Sequence, residues 1–388
     1  MNILAIETSC DETSVAIVED GRHVHSLVVN SQIDIQKAYG GVVPEIAARS
    51  HIEVILPVID QALDEAFPYR HSRPDRESSH ILSAEGTQNI MDPLIKSEDD
   101  KYRWQWDKID AIAVTQGPGL LGSLLIGVLT ARTLAFVKNK PLYPVHHILG
   151  HIYANWITSG PDYKTPYPSS QPEFPILALI VSGGHSQLMY GESHTNWRVI
   201  GRTQDDAAGE AFDKVAKVLG LPYPGGVSIS VAAKNGDPSR YNLPTPKVSE
   251  KYGYSFSGLK TALLRLVQKE CGKDHTFPSF ELANLLTDRQ IADFAASFQD
   301  RVIKYLVSKT TLAYQDLQPK SVIIGGGVAA SLPLREAISE AIPLNVQYAP
   351  QILCTDNAVI IGALAYYTSL SNDPTYPNQV EVKPSWPL

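Results

Sequence analysis

The sequence has little cysteine, and the few residues it has lie far apart. Its 388 residues include only three, Cys10, Cys271 and Cys354, an odd number with no Cys-x-x-Cys pair. This usage argues against a disulfide framework and against secretion, and favours a reducing cytosol. The amino terminus lacks the basic, apolar and small-residue order of a signal peptide. We expect no apolar run that reaches the length of a membrane span, and hence a soluble cytoplasmic protein.

Positive charge is also scarce. Lysine and arginine number 33 against 41 aspartate and glutamate residues, a net charge of -8. Bulk charge therefore argues against tight binding to nucleic acid, and any RNA contact needs a local basic surface or a partner. Hydrophobic residues make up 44% and charged residues 19%, which at this length is typical of a globular protein with two domains.

The order of apolar segments indicates a duplicated α/β fold. Ile3–Ile6 and Val15–Val18 flank a small polar tip, which predicts a hairpin, and Val24–Val29 predicts a third strand. A helix is predicted from about Pro44 to about Phe67. The same layout of strand, polar tip and two strands returns from Ile176 onwards. The likeness is one of layout rather than of residue identity.

One long stretch, Pro68 to Trp106, has no apolar periodicity and mixes charges of both signs with serine and proline. It predicts an exposed insertion or disordered loop. The alternative is an arm for tRNA or a partner, which the near balance of charge disfavours because it gives little electrostatic steering.

A histidine pair is the centre of the candidate chemistry. In Val-His-His-Ile-Leu-Gly-His, His147 and His151 stand four residues apart, so a helix turns both toward one metal ion, whereas His146 points elsewhere. The metalloprotease motif His-Glu-x-x-His carries its general base where this chain has Ile148. The pattern thus favours a metal that anchors a substrate. Spacing alone leaves open two ordinary helix histidines.

Asp356 is the best third ligand, since it lies in a polar cluster at a predicted helix start in the opposite half of the chain. Two histidines and one carboxylate leave coordination positions open for a substrate. The alternative is a residue that satisfies the free N–H groups of the helix.

Small-residue turns after buried strands are candidates for ligand contacts. Ser182–Gly184 and Gly325–Gly327 could present backbone N–H groups to an anionic group, and Asp213 and Gly226 could hold hydroxyls. Each has an ordinary alternative, because such turns also serve packing, Asp213 could be a helix surface charge and Gly226 a turn glycine.

Together the motifs resemble the TsaD family of tRNA threonylcarbamoyltransferases, relatives of a KEOPS complex subunit. The resemblance runs nearly end to end. Its carriers are Ile6–Thr13, Gly40–Glu45, Gly117–Leu120, His146–His151, Val181–His185, Asp205–Asp213, Phe256–Lys260 and Cys354–Asn357. His185 stands where the archaeal and eukaryotic relatives usually have asparagine, which points to the bacterial and organellar branch.

The resemblance implies an actin/sugar-kinase/Hsp70-like (ASKHA) fold, with two duplicated α/β domains and a ligand cleft between them. The first domain would comprise residues 1–146 plus 354–388, with the polar insertion at about 68–106, and the second residues 147–353.

The implied reaction moves the threonylcarbamoyl group from threonylcarbamoyl-AMP to the exocyclic amine of adenosine 37, next to the anticodon, in tRNAs reading ANN codons, which forms t6A. His147, His151 and Asp356 would hold one divalent metal ion, Fe2+ foremost or Zn2+. No catalytic side chain is assigned. The implied substrate-binding residues are Ile180, Val181, Ser182, Gly183, Gly184, Asp213, Gly226, Ser230 and Ser331, the last standing where the family usually has asparagine.

The implied partners are tRNA, a TsaB-like dimerising subunit and a TsaE-like ATPase, with a TsaC-like synthase upstream that makes the adenylate. Three other functions are weighed. A metalloprotease is disfavoured by Ile148, an ATP-driven kinase or chaperone of the same fold has no use for the histidine pair, and a non-catalytic scaffold would lack the metal ligands.

Overall fold

Two five-stranded sheets with the same strand order form the frame of the molecule. The computed structural model describes residues 1–68, 102–161, 167–168 and 170–388. The first sheet has the order β3-β2-β1-β4-β5 and the second β8-β7-β6-β9-β10. In each sheet the three strands that come first in the sequence pair antiparallel with one another. The two later strands are added in parallel. The predicted duplication is therefore confirmed. The strands are Asn2–Glu7 (β1), Glu12–Glu19 (β2), His23–Ser31 (β3), Ala111–Gly117 (β4), Leu142–His146 (β5), Ile176–Val181 (β6), Ser186–Ser193 (β7), Asn196–Arg202 (β8), Ser321–Gly325 (β9) and Gln347–Tyr348 (β10).

Helices cover these sheets and connect their parallel strands. They are Ile33–Lys37 (α1), Pro44–Ala66 (α2), Leu121–Lys138 (α3), His147–Tyr153 (α4), Ala208–Val218 (α5), Gly225–Ala233 (α6), Ser257–Glu270 (α7), Asp288–Leu317 (α8), Leu332–Ala341 (α9) and Ala358–Ser369 (α10). The predicted helix from Pro44 is confirmed as α2, with its proline in the first turn, where no backbone N–H is missed.

The first sheet is covered on both faces. One face packs on α2 and α3 through a core that includes Ile6, Ile55 and Val128. The other face packs on α10, where a methyl group added at Gly362 would lie 2.8 Å from Val18 and 3.3 Å from Ala5. The core on this second face continues through α4 into the second sheet. This continuity places α4 and the start of α10 between the two sheets.

The predicted insertion ends earlier than expected. Residues 69–101 lie outside the described residues, but 102–107 form a helical stretch. Gln105 is fully buried, and its amide donates hydrogen bonds to Asp64 at 2.8 Å and to the Phe67 carbonyl at 3.1 Å. Trp106 is buried as well. The expectation of an exposed stretch was therefore wrong at Gln105 and Trp106, because Gln105 is hydrogen-bonded to Asp64 of α2 and both side chains are buried.

Helix α3 corrects a second expectation. Its 18 residues, Leu121–Lys138, have a mean hydropathy of 1.5, so it is long and apolar enough to span a membrane by length and composition. That is weak evidence for a span, since core helices of soluble proteins pass the same test. One side of α3 packs closely on α2, with Gly122 against Ala48.

Candidate metal centre

Three predicted metal ligands come together where α4 meets the start of α10. His147 Nε2 lies 3.5 Å and His151 Nε2 lies 3.2 Å from Asp356 Oδ1. One ligand atom from each of the three residues falls within 4.8 Å of the others. Both histidine side chains are almost fully buried, whereas that of Asp356 is 24% exposed. The site is thus lined by protein on the histidine side and open toward Asp356.

His146 fixes the start of α4, the helix that carries both candidate histidine ligands. Its Nδ1 accepts from the N–H groups of Ile148, at 3.2 Å, and Leu149, at 3.4 Å, which caps α4. Because Nδ1 accepts, Nε2 carries the proton and donates to the Trp386 carbonyl at 2.9 Å. His146 therefore faces away from the other two histidines, as predicted, and Ile148 beside His147 is buried and apolar.

Glu7, to which the sequence analysis gave no role, orients His147. Its Oε2 lies 3.1 Å from His147 Nδ1, so that nitrogen donates and Nε2 is left facing Asp356. The carboxylate is fully buried and also accepts from the Ser9 N–H at 2.5 Å and from the Thr115 hydroxyl. Metal-ligating histidines are usually held by such a partner on the other ring nitrogen.

The surroundings of His151 and Asp356 also fit a metal. Both ring nitrogens of His151 are buried, and neither makes a hydrogen bond within the described part of the chain. Its Nε2 is close to Asp356, but not in hydrogen-bond geometry. The cap of α10 is Asn357, whose side chain accepts from Val359 and Ile360, so Asp356 does not serve as that cap. Two imidazoles and one carboxylate suit a divalent transition metal.

The electrostatics of the cluster depend on burial and on opposite charges. Burial lowers the pKa of His147, but the carboxylates of Glu7 and Asp356 outweigh burial and raise this pKa to about 9. Burial raises the pKa of Asp356, but His147, His151 and His185 outweigh it and lower this pKa. Burial, followed by repulsion from His147 and His151, lowers the pKa of His185 to about 4. His185, which the sequence analysis used only to place the branch, is thus a neutral neighbour of the cluster.

The two predicted glycine turns, Ser182–Gly184 and Gly325–Gly327, lie close to each other and to α4. A methyl group added at Gly325 would lie 2.8 Å from the His151 carbonyl, and one at Gly326 would lie 2.5 Å from the Val181 carbonyl. Gly326 also has a φ of +87°, which favours glycine. Gly183 and Gly184 are exposed, and added methyl groups there would meet open space.

The other predicted substrate residues differ in their surroundings. Ile180 and Val181 are fully buried, so only their backbone could reach a ligand. Asp213 accepts a hydrogen bond from the Gly225 N–H at 2.7 Å and is thus tied to α6 rather than a free surface charge.

Gly226 is exposed, and a methyl group added there would meet open space. Ser230 and Ser331 are partly buried, and the Ser331 hydroxyl makes no cap to α9. Their ligand contacts stay predictions.

Comparison with known proteins bears on the family directly. A model of the family TsaD, described as tRNA N6-adenosine threonylcarbamoyltransferase, matches residues 23–67 and 82–363. The chain belongs to the TsaD family. A protein of that name from Thermomicrobium roseum is 45% identical over 374 residues, covering 95% of this chain and 92% of the relative. One from Symbiobacterium thermophilum is 44% identical over 368 residues, covering 94% and 91%.

Solved structures agree on the fold. The HypF protein of T. kodakarensis matches with a TM-score of 0.56 at 12% identity, over 95% of this chain and 48% of that one. A full-length HypF in its phosphate- and nucleotide-bound form gives 0.53 at 11% identity, over 96% and 47%. The predicted ASKHA fold of two α/β domains is confirmed. The prediction that the chain is a transferase is confirmed by its membership of the TsaD family. The alternatives of protease, kinase and scaffold are not favoured.

Proposed function

We propose that this chain transfers the threonylcarbamoyl group from threonylcarbamoyl-AMP to N6 of adenosine 37 in tRNAs reading ANN codons, and so forms t6A. Membership of the TsaD family carries the proposal. The convergence of His147, His151 and Asp356 supports it, because a substrate-anchoring metal needs such an open ligand set.

His147, His151 and Asp356 would hold one divalent metal, with Fe2+ favoured and Zn2+ as the alternative, since two histidines and one carboxylate serve both ions. A metal held there would anchor the donor and act as a Lewis acid on one of its oxygens. Glu7 accepts a hydrogen bond from Nδ1 of His147, so Nε2 is the ring nitrogen that faces Asp356 and would bind the metal.

The donor would lie along the glycine turns next to α4. Gly183 and Gly184 are open enough for phosphate or carboxylate oxygens to approach backbone N–H groups. The carboxylate of Asp213 and the backbone of Gly226 would hold hydroxyls, with Ser230 and Ser331 as further contacts and Ile180 to Ser182 as the floor.

In the reaction, the adenosine amine attacks the carbamoyl carbon of the mixed anhydride. The new C–N bond replaces the C–O bond to AMP, AMP leaves with the electron pair, and N6 loses one proton to solvent water. No bond to the protein forms. Backbone N–H donors that stabilise the charge on the attacked group are the expected source of rate enhancement.

Single-turnover transfer from supplied threonylcarbamoyl-AMP to tRNA tests the proposal, with metal content measured in parallel. We expect His151→Ala and Asp356→Ala to lose both metal and transfer, and His275→Asn, an exposed histidine elsewhere, to keep both. Reconstitution with Fe2+ or Zn2+ identifies the active ion. Full transfer by variants that bind no metal contradicts the role of the metal.

Helices α2 and α3 together expose an apolar surface. Leu121, Leu125, Leu129 and Phe136 are exposed at spacings that place them on one face of α3, and Ile52 and Leu56 are exposed on neighbouring α2. An apolar surface of this kind typically marks a protein interface. We assign it to a TsaB-like subunit of similar fold, with a TsaE-like ATPase joining the pair, and a TsaC-like synthase supplying the adenylate in the cytoplasm.

A further inference from the structure

A second cluster of potential metal ligands lies on the β2–β3 hairpin. His23 and His25 are two residues apart on β3 with buried Val24 between them, so both point to the same, outer face. Glu19 of β2 pairs with His23 across the hairpin. One ligand atom of each of the three residues lies within 4.8 Å of the others.

Neighbouring groups hold the two imidazoles in place. The His23 Nδ1 lies 2.7 Å from the Ser159 hydroxyl, which leaves Nε2 as the remaining ring nitrogen. The pairing of Val24 N–H with the Ser159 carbonyl at 2.9 Å fixes that serine. His25 Nε2 lies 3.0 Å from Glu19 Oε2, and the two imidazole rings are 4.7 Å apart.

We propose that Glu19, His23 and His25 form a second metal site that takes Zn2+ or a similar divalent transition metal. Two imidazoles and a carboxylate suit such ions better than Mg2+ or Ca2+, which prefer oxygen ligands. The side chains are partly exposed, so an ion can enter and keep water in its remaining positions. A cleft of about 320 Å³ adjoins Glu19 and His23 and is also lined by Asp20, Arg22 and Tyr366.

The site is separate from the His147 centre. Ser14 lies near the other end of β2. Its hydroxyl accepts a hydrogen bond from the Ala358 N–H at 3.0 Å, which places that end of the strand close to the start of α10 and so to Asp356. Glu19 lies five residues farther along, roughly 17 Å at about 3.3 Å per residue. Metal bound there would connect the hairpin to the segment at Ser159. The expected role is therefore structural and independent of group transfer.

The test uses the full-length chain, stripped by chelator and titrated calorimetrically with Zn2+ alone. We expect two Zn2+ per chain in the wild type, one in His23→Asn/His25→Asn, and two in the control His275→Asn. Asp356→Ala should retain the hairpin ion. Ser159→Ala should bind that ion about 10-fold more weakly, the effect typical of losing a group that orients a ligand.

Two further readouts separate this proposal from the transferase function. Zn2+ should raise the melting temperature of the wild type more than that of the double variant, and the double variant should keep transfer activity within about twofold. A wild type whose only Zn2+ is lost in Asp356→Ala, or a folded double variant that still binds two, overturns the proposal.

Discussion

At the residue scale, the candidate metal site has a buried carboxylate behind one of its histidines. Glu7 is buried behind His147 and accepts a hydrogen bond from its Nδ1–H. We expect Glu7→Gln to weaken metal binding about 10- to 100-fold, because a neutral amide orients the ring but no longer raises its basicity. Titration calorimetry measures this, with the exposed Glu45→Gln as the matched control. Unchanged affinity in Glu7→Gln would show that Glu7 serves only the fold.

His51 links stability to pH. Its Nε2 donates to the Cys10 carbonyl at 3.1 Å, and its Nδ1 accepts from the Thr13 hydroxyl at 2.7 Å. Burial lowers the pKa of His51 and outweighs the Cys10 carbonyl, which raises it. As the pH falls, His51 therefore binds a proton in the unfolded chain, near its ordinary pKa of 6.5, before it does so in the folded protein. Its contribution to stability is complete above that pH and is lost as the pH falls toward the lower folded pKa.

The matching experiment is urea unfolding of wild type and His51→Gln between pH 7.5 and 5. The free energy of unfolding should fall in the wild type with an extra slope of up to about 1.4 kcal/mol per pH unit below 6.5. His51→Gln should lack that extra slope. Parallel pH profiles for the two proteins would contradict the assignment.

At the element scale, helix α5 packs through a glycine against the turn Ser182–Gly184, which is predicted to contact the substrate. A methyl group at Gly209 would lie 2.5 Å from the Ser182 carbonyl and 2.7 Å from Gly183 Cα. We expect Gly209→Ala to shift that loop and weaken adenylate binding at least about 10-fold, since backbone atoms cannot move aside as a side chain can. Gly258→Ala, where the added methyl meets open space, is the control. Equal affinities in the two variants would separate the loop from the adenylate site.

The carboxyl-terminal tail contacts His146, the residue that caps α4. Val380 is fully buried, the Lys383 carbonyl lies against Gly117, and the Trp386 ring packs 5.0 Å from the His146 ring. Removal of residues 384–388 should leave the capping imidazole without its acceptor and lower both melting temperature and metal affinity.

A substitution pair checks this role of the tail. His146→Ala should lose about 1 kcal/mol of stability through the missing cap, whereas His146→Asn keeps an acceptor for the helix N–H groups and should lose less. Thermal melts together with metal titrations give the answer. A truncated chain with unaltered metal affinity would restrict the tail to packing.

At the scale of the whole molecule, charge predicts dependence on partners. A net charge of -8 repels the phosphate backbone, whose contacts supply much of the affinity for RNA. We expect the chain alone to transfer poorly and the TsaB- and TsaE-like partners to restore transfer. Single-turnover rates across a salt series, with and without partners, measure this. Fast transfer by the chain alone would contradict the prediction.

A control follows from the exposed apolar face. Leu125→Glu/Leu129→Glu should prevent partner binding while metal binding stays intact, and Phe280→Glu, exposed elsewhere, should alter neither. Gel filtration with the TsaB-like subunit distinguishes the variants.

Features that depend on neighbouring residues in the sequence could be predicted, whereas features that depend on contacts between distant residues were missed. The repeated strand layout was readable because alternation and buried apolar runs are local patterns, and α4 could be placed from the spacing of His147 and His151. The role of Glu7 could not be read, because its partner His147 lies 140 residues away. The helical stretch 102–107 was missed for the same reason, since its Gln105 is held by α2.

The placement of α10 has a consequence for biosynthesis. It covers an apolar face of the first sheet through Gly362, yet the ribosome makes β1 and β2 first. At about 5–20 residues per second, that face waits roughly tens of seconds for its cover. A nascent chain should therefore recruit chaperones at its amino-terminal half, and the proposed metal site can be filled only once Asp356 has emerged.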